Sequence, residues 1–89
     1  MTKPDEHSII LYPVVTEDAV SLIETENKLV FMVDRKATKK EIKRSFEKLY
    51  EVEVEKVNVL ITPTGQKKAF IKLKPKFKAS DLAIKIGIL

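Results

Sequence analysis

Two β-rich segments joined by a short turn constrain the fold of this chain more than any other part of the sequence. Residues 57–62 and 67–74 alternate apolar and polar side chains. Residues 63–66 between them contain the Pro and Gly that tight turns use. The pattern therefore predicts a β-hairpin.

The two faces of this hairpin differ in chemistry, because successive side chains of a strand point to opposite faces. One face is apolar and comprises Val57, Val59, Ile61, Ala69, Ile71 and Leu73. On the second strand the other face comprises Lys68, Phe70, Lys72 and Lys74. The hairpin thus predicts a sheet with one face in the core and a cationic second face, which suits a polyanionic partner.

The remaining segments predict strands and helices in the order β-α-β-α-β-β-α. Apolar runs at residues 9–11 and 28–33 indicate two further strands, the second with the character of a central strand. Strands that alternate with amphipathic helices indicate an α+β fold, in which helices pack on a sheet. At 89 residues the chain predicts one domain, residues 1–89, with a flexible tail over residues 1–7.

The helix starts are predicted from capping side chains, which accept hydrogen bonds from free backbone amides. The chain offers three such caps: Thr16, Thr38 and Ser80. Glu41 follows the second cap by three residues and completes a capping box. The last helix, predicted over residues 81–86, is expected to end at Gly87.

Basic side chains are concentrated in the last third of the chain. Residues 1–55 carry nine Lys or Arg against twelve Asp or Glu, whereas residues 56–89 carry eight Lys against Asp81 alone. Such clustering favours a phosphate backbone, since each neutralised phosphate releases condensed counterions. The alternative is a lysine-rich surface that only keeps the protein in solution.

The composition argues against several classes of function. The absence of Cys excludes disulfides and thiolate metal sites, and it is compatible with a reducing compartment. The lone His7 has no second His or Cys as a metal partner, and two glycines offer no phosphate-binding loop. No apolar run approaches the roughly 20 residues of a membrane span. We therefore expect a cytoplasmic protein that is not an enzyme and that has no cofactor, metal site or membrane insertion.

Two groups of basic side chains are the candidate nucleic-acid site. The hairpin group comprises Lys67, Lys68, Lys72, Lys74 and Lys76. The helix group, at the start of the capped helix, comprises Arg35, Lys36, Lys39, Lys40 and Lys43. Phe70 among the hairpin lysines is expected to stack on a base or sugar, unless a helix covers it as part of the core. The sequence lacks the usual aromatic signature of an RNA recognition motif, so reading of folded RNA by shape and backbone suits it better.

A separate candidate site lies among acidic residues. Tyr50 and Glu51 end the capped helix, and Glu17 begins the earlier one. An exposed aromatic ring near carboxylates suits a protein-docking site. The alternative is that Tyr50 only packs its ring at a helix end.

The segment KKAFIKLK at residues 67–74, followed after seven residues by Leu82, resembles the hallmark of the large-subunit ribosomal protein twenty-three family. Further segments resemble the same family, at residues 13–17, 27–28, 31–33, 37–43, 52–54 and 57–58. The resemblance implies a four-stranded antiparallel sheet of order 1-2-4-3 with helices packed against it. It also implies binding to large-subunit rRNA at the rim of the polypeptide exit tunnel.

The resemblance further implies a set of partners. Such proteins help to form the docking platform for signal recognition particle, the translocon or chaperones, and they commonly contact the neighbouring rim protein, number twenty-nine. The factor-docking carboxylate of the family matches Glu17, and its aromatic-acid pair matches Tyr50 and Glu51. Bacterial members carry a long hairpin loop that enters the tunnel. Here only residues 62–66 join the strands, which resembles the archaeal and eukaryotic form and argues against contact with nascent chain inside the tunnel.

Two other function classes remain as alternatives. One is a free-standing protein-interaction module that uses Tyr50 and the open face of the sheet. The other is a small α+β hydrolase, which would need a positioned nucleophile that the sequence does not show.

Overall fold

The computed structural model describes residues 9–89, so the tail expected at residues 1–7 lies outside the described residues. The described part contains four strands and three helices. The strands are β1 (Ile10–Pro13), β2 (Lys28–Val33), β3 (Val54–Ile61) and β4 (Lys67–Leu73). The helices are α1 (Glu17–Glu26), α2 (Lys39–Tyr50) and α3 (Ala79–Ile86). This order confirms the sequence-based prediction.

The four strands form one antiparallel sheet of order β1-β2-β4-β3. The α+β class and the 1-2-4-3 order are therefore confirmed. Strands β2 and β4 are central, as the apolar character of residues 28–33 predicts, whereas β1 and β3 form the edges. Because α2 connects β2 to β3 across β4, the start of α2 lies at the same end of the sheet as the β3–β4 turn.

The core lies on one face of the sheet, and all three helices contribute to it. Residues directly opposite each other in an antiparallel pair share a face. The core face of the sheet comprises Ile10, Leu29, Phe31, Val33, Val54, Val57, Ala69, Ile71 and Leu73. The helices add Ile23, Ile42, Phe46, Leu82 and Ala83 to the same cluster. Of the apolar face that the hairpin pattern predicts, Val57, Ala69, Ile71 and Leu73 are buried. Val59 is partly buried and Ile61, at the end of β3, is 50% exposed.

The alternate strand positions form the opposite face, which we call the outer face. It comprises Tyr12, Lys28, Val30, Met32, Lys56, Asn58, Leu60, Lys68, Phe70 and Lys72. None of these residues belongs to the core cluster formed within residues 9–89.

Local hydrogen bonds explain where the first two helices start. The Thr16 hydroxyl accepts from the Ala19 amide at 3.2 Å. At the start of α2 the Thr38 hydroxyl accepts from the Glu41 amide at 3.2 Å, and the Glu41 carboxylate accepts from the Thr38 amide at 2.9 Å. The predicted capping box is confirmed.

The prediction that Ser80 caps the last helix is wrong. Helix α3 begins at Ala79, and the residue at its N-cap position, Lys78, makes no side-chain cap. Instead the Ala79 amide donates to the side-chain oxygen of Asn27 at 2.7 Å, so the cap comes from a residue far away in the sequence. Helix α3 ends at Gly87, whose φ of 87° is left-handed, as predicted.

Strand β3 begins three residues earlier than the predicted strand, and its start is irregular. Val54 pairs with Leu73 and Lys56 pairs with Lys72, so Glu55 is an extra residue between them. Such a bulge changes the face on which the following side chains lie. Lys56 consequently lies on the outer face.

Candidate nucleic-acid interface

The outer face is built from rows of side chains that run across the strands. The first row contains three lysines, Lys28 on β2, Lys72 on β4 and Lys56 on β3. The second row contains Val30, Phe70 and Asn58. The third row contains Tyr12, Met32, Lys68 and Leu60. The Phe70 ring thus lies between Lys72 and Lys68 on β4, as the alternation of this strand predicts.

Phe70 is partly exposed and lies outside the core cluster. Within the described residues no helix therefore buries it, contrary to the alternative that it belongs to the core. Its ring is available at the surface between the rows that contain Lys72 and Lys68. Its role in binding RNA stays a prediction.

Lys68 and Lys72 keep free ammonium groups. Among residues 9–89 no carboxylate lies within 4.0 Å of either. Their positive charge is therefore neither paired nor buried in the described structure, which leaves it available to an external anion.

Lys67 does not lie on the same face as Lys68 and Lys72, so the prediction that these lysines form one group is wrong for Lys67. It pairs with Val33 and Ile61, on the side of the sheet that carries the core. Its ammonium donates to the Ala37 carbonyl at 2.7 Å, so Lys67 ties the start of β4 to the segment before α2. This follows from the geometry of a strand, because the neighbouring residues Lys67 and Lys68 must point to opposite faces of the sheet.

Lys74 and Lys76 are bound to a carboxylate. Their ammonium groups lie 3.5 and 2.9 Å from the two oxygens of Glu53. The hydrogen bond from Lys76 lowers the pKa of Glu53, and the Coulombic attraction of Lys76 and Lys74 acts in the same direction. These two lysines therefore present less net positive charge than the sequence suggests.

The helix group is exposed at the end of the sheet where the β3–β4 turn lies. Arg35, Lys36, Lys39, Lys40 and Lys43 are all exposed, and none has a salt bridge with a described carboxylate. A β-carbon added at Gly65 in the turn would lie 3.7 Å from the Arg35 guanidinium. The hairpin turn and the helix group are therefore neighbours, as a shared binding surface requires.

Sequence reasoning missed Lys28 and Lys56. The predicted strand begins at Val57 and so leaves Lys56 out. The bulge at Glu55 also cannot be recognised from an alternating pattern. Lys28 is at the start of β2, and only the antiparallel register shows that it lies opposite Lys72. Register, which depends on long-range pairing, was the missing signal.

The predicted docking residues lie in two places. Tyr50 and Glu51 line a cavity of about 320 Å³ between the end of α2 and α3. Glu17 begins α1 and is not part of that lining. The rest of the lining is Val52, Lys76, Phe77, Lys78, Asp81, Leu82 and Lys85. The surroundings are therefore of mixed charge and not the acidic ring that the sequence suggested.

Tyr50 is not a freely exposed aromatic. Its ring centroid lies 4.8 Å from that of Phe46 and 6.0 Å from that of Phe31. Partial burial raises the pKa of the Tyr50 hydroxyl. The ring thus packs at a helix end, as the alternative interpretation has it, and only part of it faces the cavity.

Other kinds of site are not apparent in the described part of the chain. Residues 9–89 contain no group of three or more His, Cys, Asp or Glu that could hold a metal ion. No helix in this part is long and apolar enough to cross a membrane. His7 lies outside the described residues.

The chain matches a protein-family model. The model described as ribosomal protein L23 matches residues 8–81, which is more than half of the chain. The matched range includes all four strands, α1, α2 and the start of α3. It also includes both basic groups and the pair Tyr50 and Glu51.

Proposed function

This chain belongs to the ribosomal protein L23 family of structural proteins of the large ribosomal subunit, and we propose that it binds large-subunit rRNA through its outer face and helix group. One observation carries this proposal. The lysines of the outer face and helix group, Lys28 excepted, form no salt bridge with a carboxylate of residues 9–89, and the chain belongs to a family of ribosomal proteins. Unpaired lysines beside an exposed ring supply both phosphate contacts and a stacking surface.

The predicted binding residues contribute unequally in this proposal. Lys68, Lys72 and Phe70 act from the outer face, and Arg35, Lys36, Lys39, Lys40 and Lys43 act from the start of α2. Lys43 lies about one helical turn from Lys39 and Lys40, so these side chains are within reach of successive phosphates. Lys67, Lys74 and Lys76 have smaller roles, since Lys67 is bound to the Ala37 carbonyl and the other two to Glu53.

We place the bound protein at the outer rim of the polypeptide exit tunnel, beside rim protein number twenty-nine. The family membership supports this location. The short connection between β3 and β4 supports a position at the rim, because it is too short to extend far from the body of the protein. The protein is then part of the ribosome in the cytoplasm.

Charge removal tests the rRNA proposal. We expect the variants Lys68→Gln/Lys72→Gln and Lys39→Gln/Lys40→Gln/Lys43→Gln to bind purified large-subunit rRNA more weakly. The slope of log affinity against log salt should fall by about 0.7–0.9 for each phosphate contact that is lost. Filter binding at several KCl concentrations measures this slope.

Lys85→Gln is the control, because it removes one exposed positive charge on α3, which packs on the core side of the sheet and belongs neither to the outer face nor to the helix group. Its slope should stay close to that of the wild type. Equal slopes for all variants would contradict the assignment of the binding surface. Retention of the wild type on purified large subunits in moderate salt separates a ribosomal protein from a free-standing interaction module, which would wash off.

We further propose that Glu17, Tyr50 and Glu51 belong to the docking platform for signal recognition particle, the translocon or chaperones. The cavity beside Tyr50 supports this role, since its lining combines apolar side chains, Val52, Phe77 and Leu82, with charged ones, a mixture that suits a protein side chain. Tyr50 is held by Phe46 and Phe31, so its exposed edge is a fixed surface.

The double variant Glu17→Ala/Glu51→Ala tests the docking role. We expect normal incorporation into the large subunit, because neither residue is in the core or in a basic group. Cosedimentation of a purified factor with variant ribosomes should decrease. Glu24→Ala/Glu55→Ala removes two exposed carboxylates that are not sequence neighbours of Glu17 or Glu51, and it should leave cosedimentation unchanged. Loss of incorporation with normal factor binding would reverse our assignment of the two surfaces.

A further inference from the structure

Three lysines form a row across the outer face: Lys28, Lys72 and Lys56. The proposed function gives a role to Lys72 but none to Lys28 or Lys56. We propose that this lysine row binds the phosphates of a single RNA strand that crosses the β-strands, and that Glu26 competes with this strand for Lys28. The inference rests on the proposed rRNA binding and specifies which part of the outer face meets the RNA backbone.

The register places like charges where they repel each other. Lys28 and Lys56 pair directly with Lys72 on either side, and side chains in such pairs have Cβ atoms about 4.5–5.5 Å apart. Like charges at directly opposed positions destabilise a sheet. A polyanion along the row would reverse this effect, because each phosphate lies close to more than one ammonium group.

Most of this charge is uncompensated in the described part of the protein. Lys56 and Lys72 have no carboxylate of residues 9–89 within 4.0 Å. The bulge at Glu55 is what places Lys56 in the row, since regular alternation from Val54 would have put it on the core face. The local irregularity thus completes a line of three cations.

Lys28 differs from the other two because it already has a partner. Its ammonium lies 2.9 Å from the Glu26 carboxylate, and the Glu26 side chain is 50% exposed. The Lys28 side chain is 21% exposed, so the pair lies at the surface but is partly covered. Ion pairs at the surface are weak, so a phosphate in the row can replace the carboxylate. Glu26 then returns to solvent at the end of α1.

In the neighbouring row Phe70 and Asn58 are partly exposed and can meet the rest of the nucleotide, whereas Val30 is only 4% exposed. Val30, Phe70 and Asn58 lie two residues along the strands from the lysine row, which is about 7 Å. The Phe70 ring can contact a ribose or base, and the Asn58 amide can both donate and accept a hydrogen bond. Phosphates on one row and a sugar or base on the next fit a strand that runs perpendicular to β2 and β4.

Single substitutions test the lysine row with purified large-subunit rRNA as the probe. Lys56→Gln and Lys28→Gln should each lower the salt slope by about 0.7–0.9, whereas Lys85→Gln should not change it. Glu26→Gln should raise affinity about two- to fivefold, because Lys28 no longer has to leave an ion pair. Glu24→Gln removes the same charge from an exposed position on the same helix and should have a smaller effect.

The outcomes separate this inference from the proposed function. If the wild type shows no salt-dependent binding to rRNA, the proposed function itself fails. If the wild type binds with a steep slope but Lys56→Gln and Lys28→Gln match it, the lysine row is not the phosphate site. Equal affinities for Glu26→Gln and Glu24→Gln would show that Glu26 does not compete for Lys28. The gain in affinity would then come only from the lower negative charge of the protein.

Discussion

Replacing Asn27 with Ala should lower the free energy of unfolding by about 3–5 kcal/mol. Its amide nitrogen donates to the carbonyls of Leu73 and Phe77 at 3.2 and 2.9 Å, and its oxygen accepts from the Ala79 amide. Each such hydrogen bond contributes about 0.5–1.5 kcal/mol. Asn27 also has a left-handed backbone conformation, with φ of 56°, and this conformation is unfavourable for Ala by roughly 1–2 kcal/mol. The loss is large beside a typical stability of about 5–15 kcal/mol.

Asn27→Gly separates the two contributions. Glycine adopts the left-handed conformation without strain but has no side chain to make the three hydrogen bonds. We therefore expect Asn27→Gly to be about 1 kcal/mol more stable than Asn27→Ala and still clearly less stable than the wild type. Urea denaturation followed by far-UV circular dichroism measures all three proteins. A loss below about 1 kcal/mol in Asn27→Ala would show that these bonds are replaced by water.

Asn27 also illustrates why part of this fold could not be predicted from the sequence. The cap of α2 is local, because Thr38 and Glu41 are three residues apart, and the sequence predicts it correctly. The cap of α3 comes from Asn27, which is 52 residues away from Ala79. Ser80 is a good local candidate, but a local pattern contains no information about a partner on another element.

The candidate site follows the same division between local and long-range information. The alternation of β4 correctly places Lys68, Phe70 and Lys72 on one face, because the period of a strand is a local property. The lysine row could not be predicted, since it depends on the register of β2 and β3 with β4. The helix group lies at the start of α2, where the local capping box predicts the helix to begin, and its side chains are exposed.

The acidic surroundings that the sequence suggests for the docking residues are not found in the structure. The segment after β4 carries Lys76 and Lys78 to the cavity that Tyr50 and Glu51 line, and α3 adds Lys85. A count of charges along the chain cannot show this, because it depends on where residues 74–78 lie in the fold. A docking partner at this cavity therefore meets ammonium groups as well as carboxylates.

Replacing Phe46 with Ala should lower the free energy of unfolding by about 3–5 kcal/mol, because it removes a fully buried ring and leaves a cavity. The Phe46 ring contacts Phe31 edge-to-face at 5.3 Å and Tyr50 at 4.8 Å. Phe46→Leu is the matched control. It keeps most of the apolar volume and should lose only about 1–2 kcal/mol, mainly from the ring contacts. Urea denaturation compares the two variants.

The same substitution should change the titration of Tyr50, which connects the core to the proposed docking site. Burial raises the pKa of Tyr50, so the stability it contributes is present below its unfolded pKa of about 10 and is lost as the pH rises through the folded value. Water entering the space left by Phe46 would lower this pKa toward its ordinary value. Absorbance titration in a Tyr12→Phe background reports Tyr50 alone, since the chain has two tyrosines. A Tyr50 pKa unchanged in Phe46→Ala would mean that the cavity stays dry or collapses, and that Tyr50 is held without Phe46.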